Sequence, residues 1–205
     1  MVENFKRDVK RAKIAEINVL ELFNQLNIFE DYEFKNVTDV KECWHKGDIE
    51  VTDFYGNTLY VDVKDDSCIG KTQNVLCEER VYYYSNNKVA RGFMYSDYDW
   101  LAVYSKDKKE VYLLDFNILK QIYKLGNYRS HMIQPNSRDQ HSEVYLLPLS
   151  YCKKYGAWKY TIHFDLDDEG VISVGAVDEI VQTEKQKEKA ERYFDKKKQK
   201  RIFAA

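Results

Sequence analysis

Residues 45–65 have the sequence HKGDIEVTDFYGNTLYVDVKD, and this stretch gives the strongest indication of the fold. Apolar and polar residues alternate on both sides of the turn signal Tyr55-Gly56-Asn57. Alternation with period two is typical of a half-buried strand, and two such segments joined by a glycine-containing turn indicate a β-hairpin. We therefore predict antiparallel strands near residues 48–54 and 58–64.

Three charged residues of this hairpin indicate a chemical site. Asp48 stands at the start of the first predicted strand, and Asp62 and Lys64 end the second. Side chains two residues apart on a strand share a face, so Asp62 and Lys64 point the same way while Val63 faces the core. The hairpin can bring Asp48 alongside them. Two hard oxygen ligands and a cation on one rim suit a Mg²⁺ site that binds a phosphate.

The spacing of these residues resembles that of the PD-(D/E)xK nuclease superfamily, which includes restriction endonucleases and Holliday junction resolvases. Its pattern is an acid at the start of one strand, then acid-x-lysine on the next, which Asp48 and Asp62-Val63-Lys64 match. Gly47 stands where the pattern has proline. The resemblance covers about residues 5–150 and implies an α/β fold. That fold is a restriction endonuclease-like core, a mixed central β-sheet flanked by helices, and we expect a basic C-terminal helix after it.

The resemblance also implies an activity, which is metal-dependent hydrolysis of phosphodiester bonds in DNA by an endonuclease. An acid on the first helix often joins such a site; Glu16 fits best and Glu21 is the alternative. Lys64 would position the attacking water or stabilise the pentavalent transition state. The implied ligands of Mg²⁺, or of Mn²⁺ in its place, are Asp48, Asp62, the backbone carbonyl of Val63, and Glu16.

Alternatives to this activity stay open at the level of the sequence. The chain could keep a nuclease-like scaffold and serve as a catalytically silent module that binds nucleic acid or a partner. RNA could replace DNA as the substrate, because a metal site of this kind contacts only the phosphate. Asp48, Asp62 and Lys64 could also be outward-facing strand residues that form weak ion pairs.

Composition limits the classes of protein that fit the chain. With 205 residues, 44% of them hydrophobic and 32% charged, the chain can bury a proper core. We predict a single nuclease domain over residues 1–180 and a charged helical tail over residues 181–205. A net charge of only −2 excludes a uniformly basic nucleic-acid coat. Without a membrane-length apolar run, a signal sequence or a nucleotide-binding motif, we expect a cytoplasmic (intracellular) protein with neither a membrane partner nor a nucleotide cofactor.

Basic residues outside the hairpin are the candidates for contacts to nucleic acid, because phosphate contacts come mostly from lysine and arginine. These candidates are Lys10 and Lys13 on the first helix, Lys71 after the second strand of the hairpin, and Arg129 and Arg138 in a polar segment. We predict that segment, residues 126–142, to be a loop. The resemblance also implies a possible homodimer, and the small size suits a phage, mobile-element or restriction-like enzyme.

Periodicity and capping signals predict the other elements. The predicted helices cover residues 4–26, 115–125 and 183–205, the second with Asp115 as N-cap and Gly126 at its end. The predicted strands cover residues 31–37, 98–104, 111–114 and 144–149, followed by a hairpin over residues 157–174. Residues 72–84 fit either a helix or a strand.

Overall fold

The computed structural model describes residues 2–26, 31–43, 45–126, 130–135 and 140–202. Its helices are α1 (Val2–Gln25), α2 (Ile69–Thr72), α3 (Phe116–Lys124), α4 (Leu149–Tyr155) and α5 (Glu184–Ile202). Its strands are β1 (Tyr32–Asn36), β2 (Ile49–Asp53), β3 (Thr58–Asp65), β4 (Asn74–Tyr83), β5 (Lys88–Arg91), β6 (Trp100–Ser105), β7 (Glu110–Asp115), β8 (Ser130–Pro135), β9 (Gln140–Pro148), β10 (Trp158–Leu166) and β11 (Ile172–Glu179).

Two sheets organise these strands. The large sheet has the order β1-β2-β3-β6-β7-β10-β11 and is mixed, because β3 and β6 pair in parallel and its other neighbours are antiparallel. The small sheet has the order β5-β4-β9-β8 and is antiparallel. A parallel pair needs a long crossover, and here the chain between β3 and β6 contributes β4 and β5 to the small sheet. The fold is therefore α/β, with a large mixed sheet and helices.

The hairpin β2–β3 is confirmed, and one side chain holds its turn. Asp53 Oδ1 accepts hydrogen bonds from the backbone nitrogens of Tyr55 and Asn57, at 2.9 and 2.8 Å. Its Oδ2 accepts a third, from Asn57 Nδ2 at 2.8 Å. Gly56 has φ +82°, a left-handed conformation that glycine adopts without strain. The turn thus fixes the register in which Val51 faces Leu59.

Helix α1 covers one face of the large sheet beside the hairpin. Its buried Val19 and Phe23 belong to one apolar cluster with Val61 and Val63 of β3 and Ala102 of β6. Because alternate residues point to opposite faces, the neighbouring Leu101 of β6 belongs instead to a second cluster. That second cluster joins the large sheet to α3, α4 and part of the small sheet. Asp62 and Lys64 of β3 lie toward this second side.

Most of the other predicted elements are confirmed. The first helix, the strand at 31–37, the strands at 98–104 and 111–114, the Asp115-capped helix and the hairpin over 157–174 are all present. Asp115 Oδ1 accepts a hydrogen bond from Ile118 N at 3.0 Å, as an N-cap does. Residues 72–84, for which helix and strand were alternatives, contain the whole of strand β4.

The prediction of a loop over residues 126–142 is wrong where the structure describes this segment. Residues 130–135 form β8, and residues 140–142 belong to β9, which pairs with β8 and with β4. The strand predicted at 144–149 ends at Pro148, and Leu149 begins α4. Polar composition suggested a loop, but pairing with distant strands supplies the backbone hydrogen bonds that composition does not reveal.

The predicted C-terminal helix is confirmed as α5. Its Ala190 is buried, and the ring of Tyr193 stacks on Tyr155 of α4 at 4.9 Å between centroids. The first part of this charged helix therefore packs on the fold. Among the described residues, no helix combines the length and apolar character needed to span a membrane.

Candidate active site

Gly47 and Asp48 tie the start of β2 to β3. Gly47 has φ +136°, and a Cβ on it would lie 2.7 Å from the carbonyl oxygen of Val61, so the position requires glycine. Asp48 N donates a hydrogen bond to that same oxygen at 2.9 Å. Val63 N in turn donates to Asp48 Oδ2 at 2.8 Å. The Asp48 carboxylate is therefore held against β3, in the place where the superfamily pattern has its first acid.

Asp62 and Lys64 share a face of β3, as predicted, and form an ion pair. Lys64 Nζ lies 2.7 Å from Asp62 Oδ2. Asp62 is only 8% exposed, whereas the Lys64 side chain is 40% exposed. Val63, between them, is buried on the opposite face against α1. Lys64 Nζ also lies 5.5 Å from the ring centroid of Phe93, so the ammonium group bridges the carboxylate and an aromatic face.

A tyrosine that sequence reasoning missed lies next to Asp62. Tyr98 is 2% exposed, and desolvation followed by the negative charge of Asp62 raises its pKa well above the ordinary value. Neither the Tyr98 hydroxyl nor Asp62 Oδ2 makes a hydrogen bond of good geometry with the described residues. The ion pair with Lys64 is thus the contact that stabilises this buried carboxylate oxygen.

Glu16 is the acid that α1 brings to the site. It is 7% exposed, and its Oε2 accepts a hydrogen bond from Thr38 Oγ1 at 2.9 Å. Its charge contributes to raising the pKa of Asp48, which places the two carboxylates near each other. The alternative acid, Glu21, is exposed and accepts a hydrogen bond from Gln25 Nε2 at 2.9 Å. The structure therefore favours Glu16 over Glu21 as the helical member of the site.

The electrostatics of the site are those of crowded carboxylates beside one ammonium group. Burial, followed by the charge of Asp62, raises the pKa of Asp48 from 3.8 to about 6, although Lys64 and the hydrogen bond from Val63 oppose the increase. Desolvation alone would lower the pKa of Lys64, but Asp62 and Asp48 outweigh it and raise that pKa above the ordinary value. Lys64 is therefore a cation at neutral pH, and Asp48 is an ionised group that its surroundings destabilise.

An open cleft of about 350 Å³ lies beside these residues, between α1 and the end of β3. Arg11 Nη2, on the α1 wall, lies 2.8 Å from Asp65 Oδ2. Asp62 does not line this cleft, whereas its ion-pair partner Lys64 does. Residues along the cleft include Arg11, Glu16, Asp48, Val63, Lys64 and Asp65.

The donor set fits a hard divalent cation, which prefers carboxylate and carbonyl oxygens. The raised pKa of Asp48 and the burial of Asp62, whose Oδ2 is paired only with Lys64 among the described residues, are both features that a nearby cation would relieve. In the part of the chain that the structure describes, no three His, Cys, Asp or Glu side chains form a ready metal-binding group. The set that the resemblance implies, Asp48, Asp62 and Glu16 with the Val63 carbonyl, contains three such side chains, and the metal site stays a prediction.

The basic residues predicted to contact nucleic acid are dispersed. Lys10 is exposed on α1. Lys13 lies 3.7 Å from Asp39, and Lys71 lies 3.7 Å from Asp107, with both lysines largely exposed. The two predicted contacts Arg129 and Arg138 lie outside the described residues.

Arg11, Asp65 and Tyr98 are the nearby residues that the sequence analysis did not select. For Asp65 a signal was present, because alternation along β3 places it on the Val63 face, opposite Lys64. Comparison with family models, with curated proteins and with solved structures found no match to this chain.

Proposed function

We propose that the chain is a metal-dependent endonuclease that hydrolyses phosphodiester bonds in DNA. The observation that carries the proposal is the convergence of Asp48, Asp62 and Lys64 on adjacent strands of one hairpin, with Glu16 beside them. The order of elements supports a restriction endonuclease-like core, since α1 is followed by the antiparallel strands β1, β2 and β3, and β6 then pairs in parallel with β3. A homodimer stays a prediction from the resemblance.

The chemistry of the bond explains why these groups are useful together. A phosphodiester is anionic, so it repels a nucleophile, and its alkoxide is a poor leaving group. A bound Mg²⁺ or Mn²⁺ neutralises phosphoryl charge and lowers the pKa of a coordinated water. Asp48 and Asp62 would hold the ion, with the Val63 carbonyl or Glu16 completing the set.

Lys64 supplies a positive charge in the metal-free protein. Its pKa is raised by Asp62 and Asp48, so the protonated form dominates at neutral pH. A protonated lysine next to the cleft donates hydrogen bonds to phosphoryl oxygens and stabilises the charge that develops in the transition state. Arg11, on the opposite wall, is a second cation that faces an incoming phosphate.

Cleavage assays test the proposal directly. Supercoiled plasmid, branched DNA, single-stranded DNA and RNA would be incubated with Mg²⁺, Mn²⁺ or EDTA. We expect metal-dependent cutting that Asp62→Ala and Lys64→Ala abolish and Glu16→Gln reduces. Glu21→Gln is the matched control, because it removes one carboxylate from the exposed side of the same helix.

Metal binding measured by calorimetry separates the possible outcomes. Heat of Mg²⁺ binding in the wild type, lost in Asp62→Ala, supports the site independently of the substrate chosen. If the wild type neither binds metal nor cuts any substrate, the proposal of an enzyme is refuted. That result would favour the alternative, a catalytically silent module that binds nucleic acid or a partner. Preferential cutting of RNA would show that the substrate is RNA rather than DNA, and the proposed metal site would be unaffected by that result.

A further inference from the structure

One exposed face of the small sheet carries arginines and aromatic rings. Arg80 of β4 faces Arg91 of β5 directly, and Tyr82 of β4 lies between Val89 of β5 and His141 of β9. The Tyr82 and His141 rings stack with centroids 4.6 Å apart and an interplanar angle of 6°. The arginine–tyrosine face is defined here as Arg80, Tyr82, Tyr84, Arg91, Tyr95 and His141. Tyr84 joins the stack, because its ring centroid lies 5.0 Å from that of His141.

The two arginines place positive charge on this face, and the carboxylates Glu79 and Glu143 offset part of it at Arg80. Like charges directly opposite each other on antiparallel strands destabilise a sheet. Arg80 reaches Glu79 and Glu143 only at 4.0 and 3.9 Å, and Arg91 forms no ion pair with the described residues. Arg91 lies over the ring of Tyr95, at 5.4 Å from its centroid. A guanidinium has five donors, so both groups retain capacity to bind an anion.

The neighbouring acids are engaged by tyrosine hydroxyls. Glu79 accepts hydrogen bonds from Tyr123 at 2.6 Å and from Tyr95 at 3.2 Å, and its pKa is lowered in spite of its desolvation. Glu143 accepts one from Tyr82 at 3.2 Å. These bonds position the aromatic rings while the carboxylates partly offset the arginines. The face is therefore a built arrangement of rings and guanidinium groups rather than a loose basic surface.

A cavity of about 270 Å³ opens between the two arginines. Its walls are Arg80, Arg91, Val89, Ala90 and the half-exposed Tyr95. Two guanidinium groups suit the oxygens of one phosphate, which arginine binds with parallel N–H donors. The aromatic and aliphatic wall formed by Tyr95, Val89 and Ala90 suits the sugar or base that is attached to such a phosphate.

The arginine–tyrosine face is close to the candidate active site. Gly92 follows Arg91, and a Cβ on it would lie 2.3 Å from the carbonyl oxygen of Glu78, so this crossing of β4 requires glycine. Phe93, the next residue, contacts Lys64 with its ring, and Tyr95 lines the arginine cavity. Two residues span at most about 7 Å of chain, so a bound strand need extend only a few nucleotides to connect the two sites.

We propose that the arginine–tyrosine face binds a single-stranded part of the nucleic-acid substrate. A phosphate would lie between Arg80 and Arg91, and adjacent bases would stack on the rings of Tyr84 and Tyr95. Stacking requires unpaired bases, because the faces of paired bases are covered inside a duplex. The inference rests on the proposed function, which makes nucleic acid the ligand and a single-stranded or branched region the preferred place of cutting.

DNA binding measured in the absence of a divalent metal tests this inference separately from the proposed nuclease activity. The probe is a short fluorescent single-stranded DNA, compared with a duplex of the same length, in EDTA and over a series of salt concentrations. We expect the wild type and the Asp62→Ala variant to bind the single strand equally and to prefer it over the duplex. Absence of cutting by the wild type, together with intact binding of the single strand, would then refute only the nuclease.

Two kinds of variant should behave differently. Arg80→Gln combined with Arg91→Gln should weaken binding and reduce the slope of log affinity against log salt by about 0.7, since the two arginines share one phosphate and each phosphate contact to a single strand contributes about 0.7. Tyr84→Ala should weaken binding by on the order of 5- to 150-fold with an unchanged slope, because it removes stacking alone. Circular dichroism and thermal unfolding would confirm that each variant is folded.

The matched control is Lys35→Gln combined with Lys185→Gln. Like the double arginine variant, it removes two positive charges, but from exposed positions on β1 and α5. We therefore expect it to bind the single strand with near wild-type affinity. Equal affinity of the wild type for duplex and single strand would overturn the inference. An unchanged affinity and salt slope in the double arginine variant, or a loss as large in the control, would overturn it as well.

Discussion

Asp48→Asn should make the metal-free protein more stable while removing its metal site. The ionised Asp48 carboxylate is destabilised by burial and by the charges of Asp62 and Glu16, which together raise its pKa from 3.8 to about 6. Asparagine has nearly the same shape and keeps an oxygen that can accept the 2.8 Å hydrogen bond from Val63 N. The substitution therefore removes the unfavourable charge and leaves the local geometry in place.

The sign and size of the effect follow from proton linkage. A carboxyl group with a raised pKa in the folded state binds its proton more tightly there, so ionisation reduces stability as the pH rises from about 4 to about 6. The increase in the pKa of Asp48 corresponds to at most ~3 kcal/mol. This figure already includes the attraction to Lys64, and partial exposure of Asp48 reduces it further, so we expect about 1–2 kcal/mol above pH 6. For a chain of this size that is a rise in Tm of about 2–8 °C.

Urea and thermal unfolding of both proteins in EDTA, between about pH 4 and pH 8, measure the effect. The stability difference should be small at the acidic end, grow through pH 6 and then level off. Mg²⁺ should stabilise the wild type and not the variant. Asp53→Asn is the control of opposite sign, because hydrogen bonding to Asn57 lowers the pKa of Asp53 and its ionised form stabilises the turn. A less stable Asp48→Asn protein at pH 8, or a difference independent of pH, would refute the reasoning.

Three further substitutions test separate features of the structure. Gly47→Ala should destabilise the protein by about 1–3 kcal/mol in urea and reduce cleavage, because it combines φ +136° with a Cβ 2.7 Å from the Val61 carbonyl oxygen. Tyr98→Phe should change the metal-free unfolding free energy by less than about 1 kcal/mol, since the hydroxyl makes no hydrogen bond of good geometry with the described residues; a larger loss would show that it bonds to Asp62. Asp115→Ala should cost about 1 kcal/mol of stability by removing an N-cap, with metal affinity by calorimetry unchanged; altered affinity would contradict a purely structural role.

The hairpin and the first helix could be predicted because their signals are local. Alternation fixes the faces of β2 and β3, and the turn between them is held by Asp53 through residues within four positions of it. The helical spacing of apolar residues in α1 likewise selects the face that packs on Val61 and Val63. The Asp115 cap is local in the same sense, since its partner Ile118 lies three residues away.

The small sheet could not be predicted in the same way, because its pairing is non-local. β4 and β9 belong to segments far apart in the chain, and their contact depends on how the intervening strands β6 and β7 fill the large sheet. β8 has a polar sequence that suggested a loop, and pairing with β9 decides its conformation. Propensity is a weak guide where tertiary context supplies the hydrogen bonds.

The candidate site shows the same division between local and distant information. Alternation places Asp62 and Lys64 on one face, but it says nothing of what packs against that face. Tyr98 and Phe93, which do so, reach it only because β3 pairs in parallel with β6 after the excursion through the small sheet. They make the surroundings of Asp62 dry, and a buried carboxylate needs a compensating cation.

We predict that this burial couples the proposed metal binding to a movement of Lys64. In the structure the Lys64 ammonium group lies 2.7 Å from Asp62 Oδ2, and its departure would leave a buried charge unpaired. A divalent cation on Asp62 and Asp48 would remove that penalty, so that Lys64 would become available to a phosphate only with the ion bound. Linkage of this kind predicts that Lys64→Met weakens phosphate binding and strengthens Mg²⁺ binding, because Asp62 then has no competing partner. Calorimetry of the variant with each ligand checks both signs, and weaker Mg²⁺ binding in Lys64→Met would contradict the coupling.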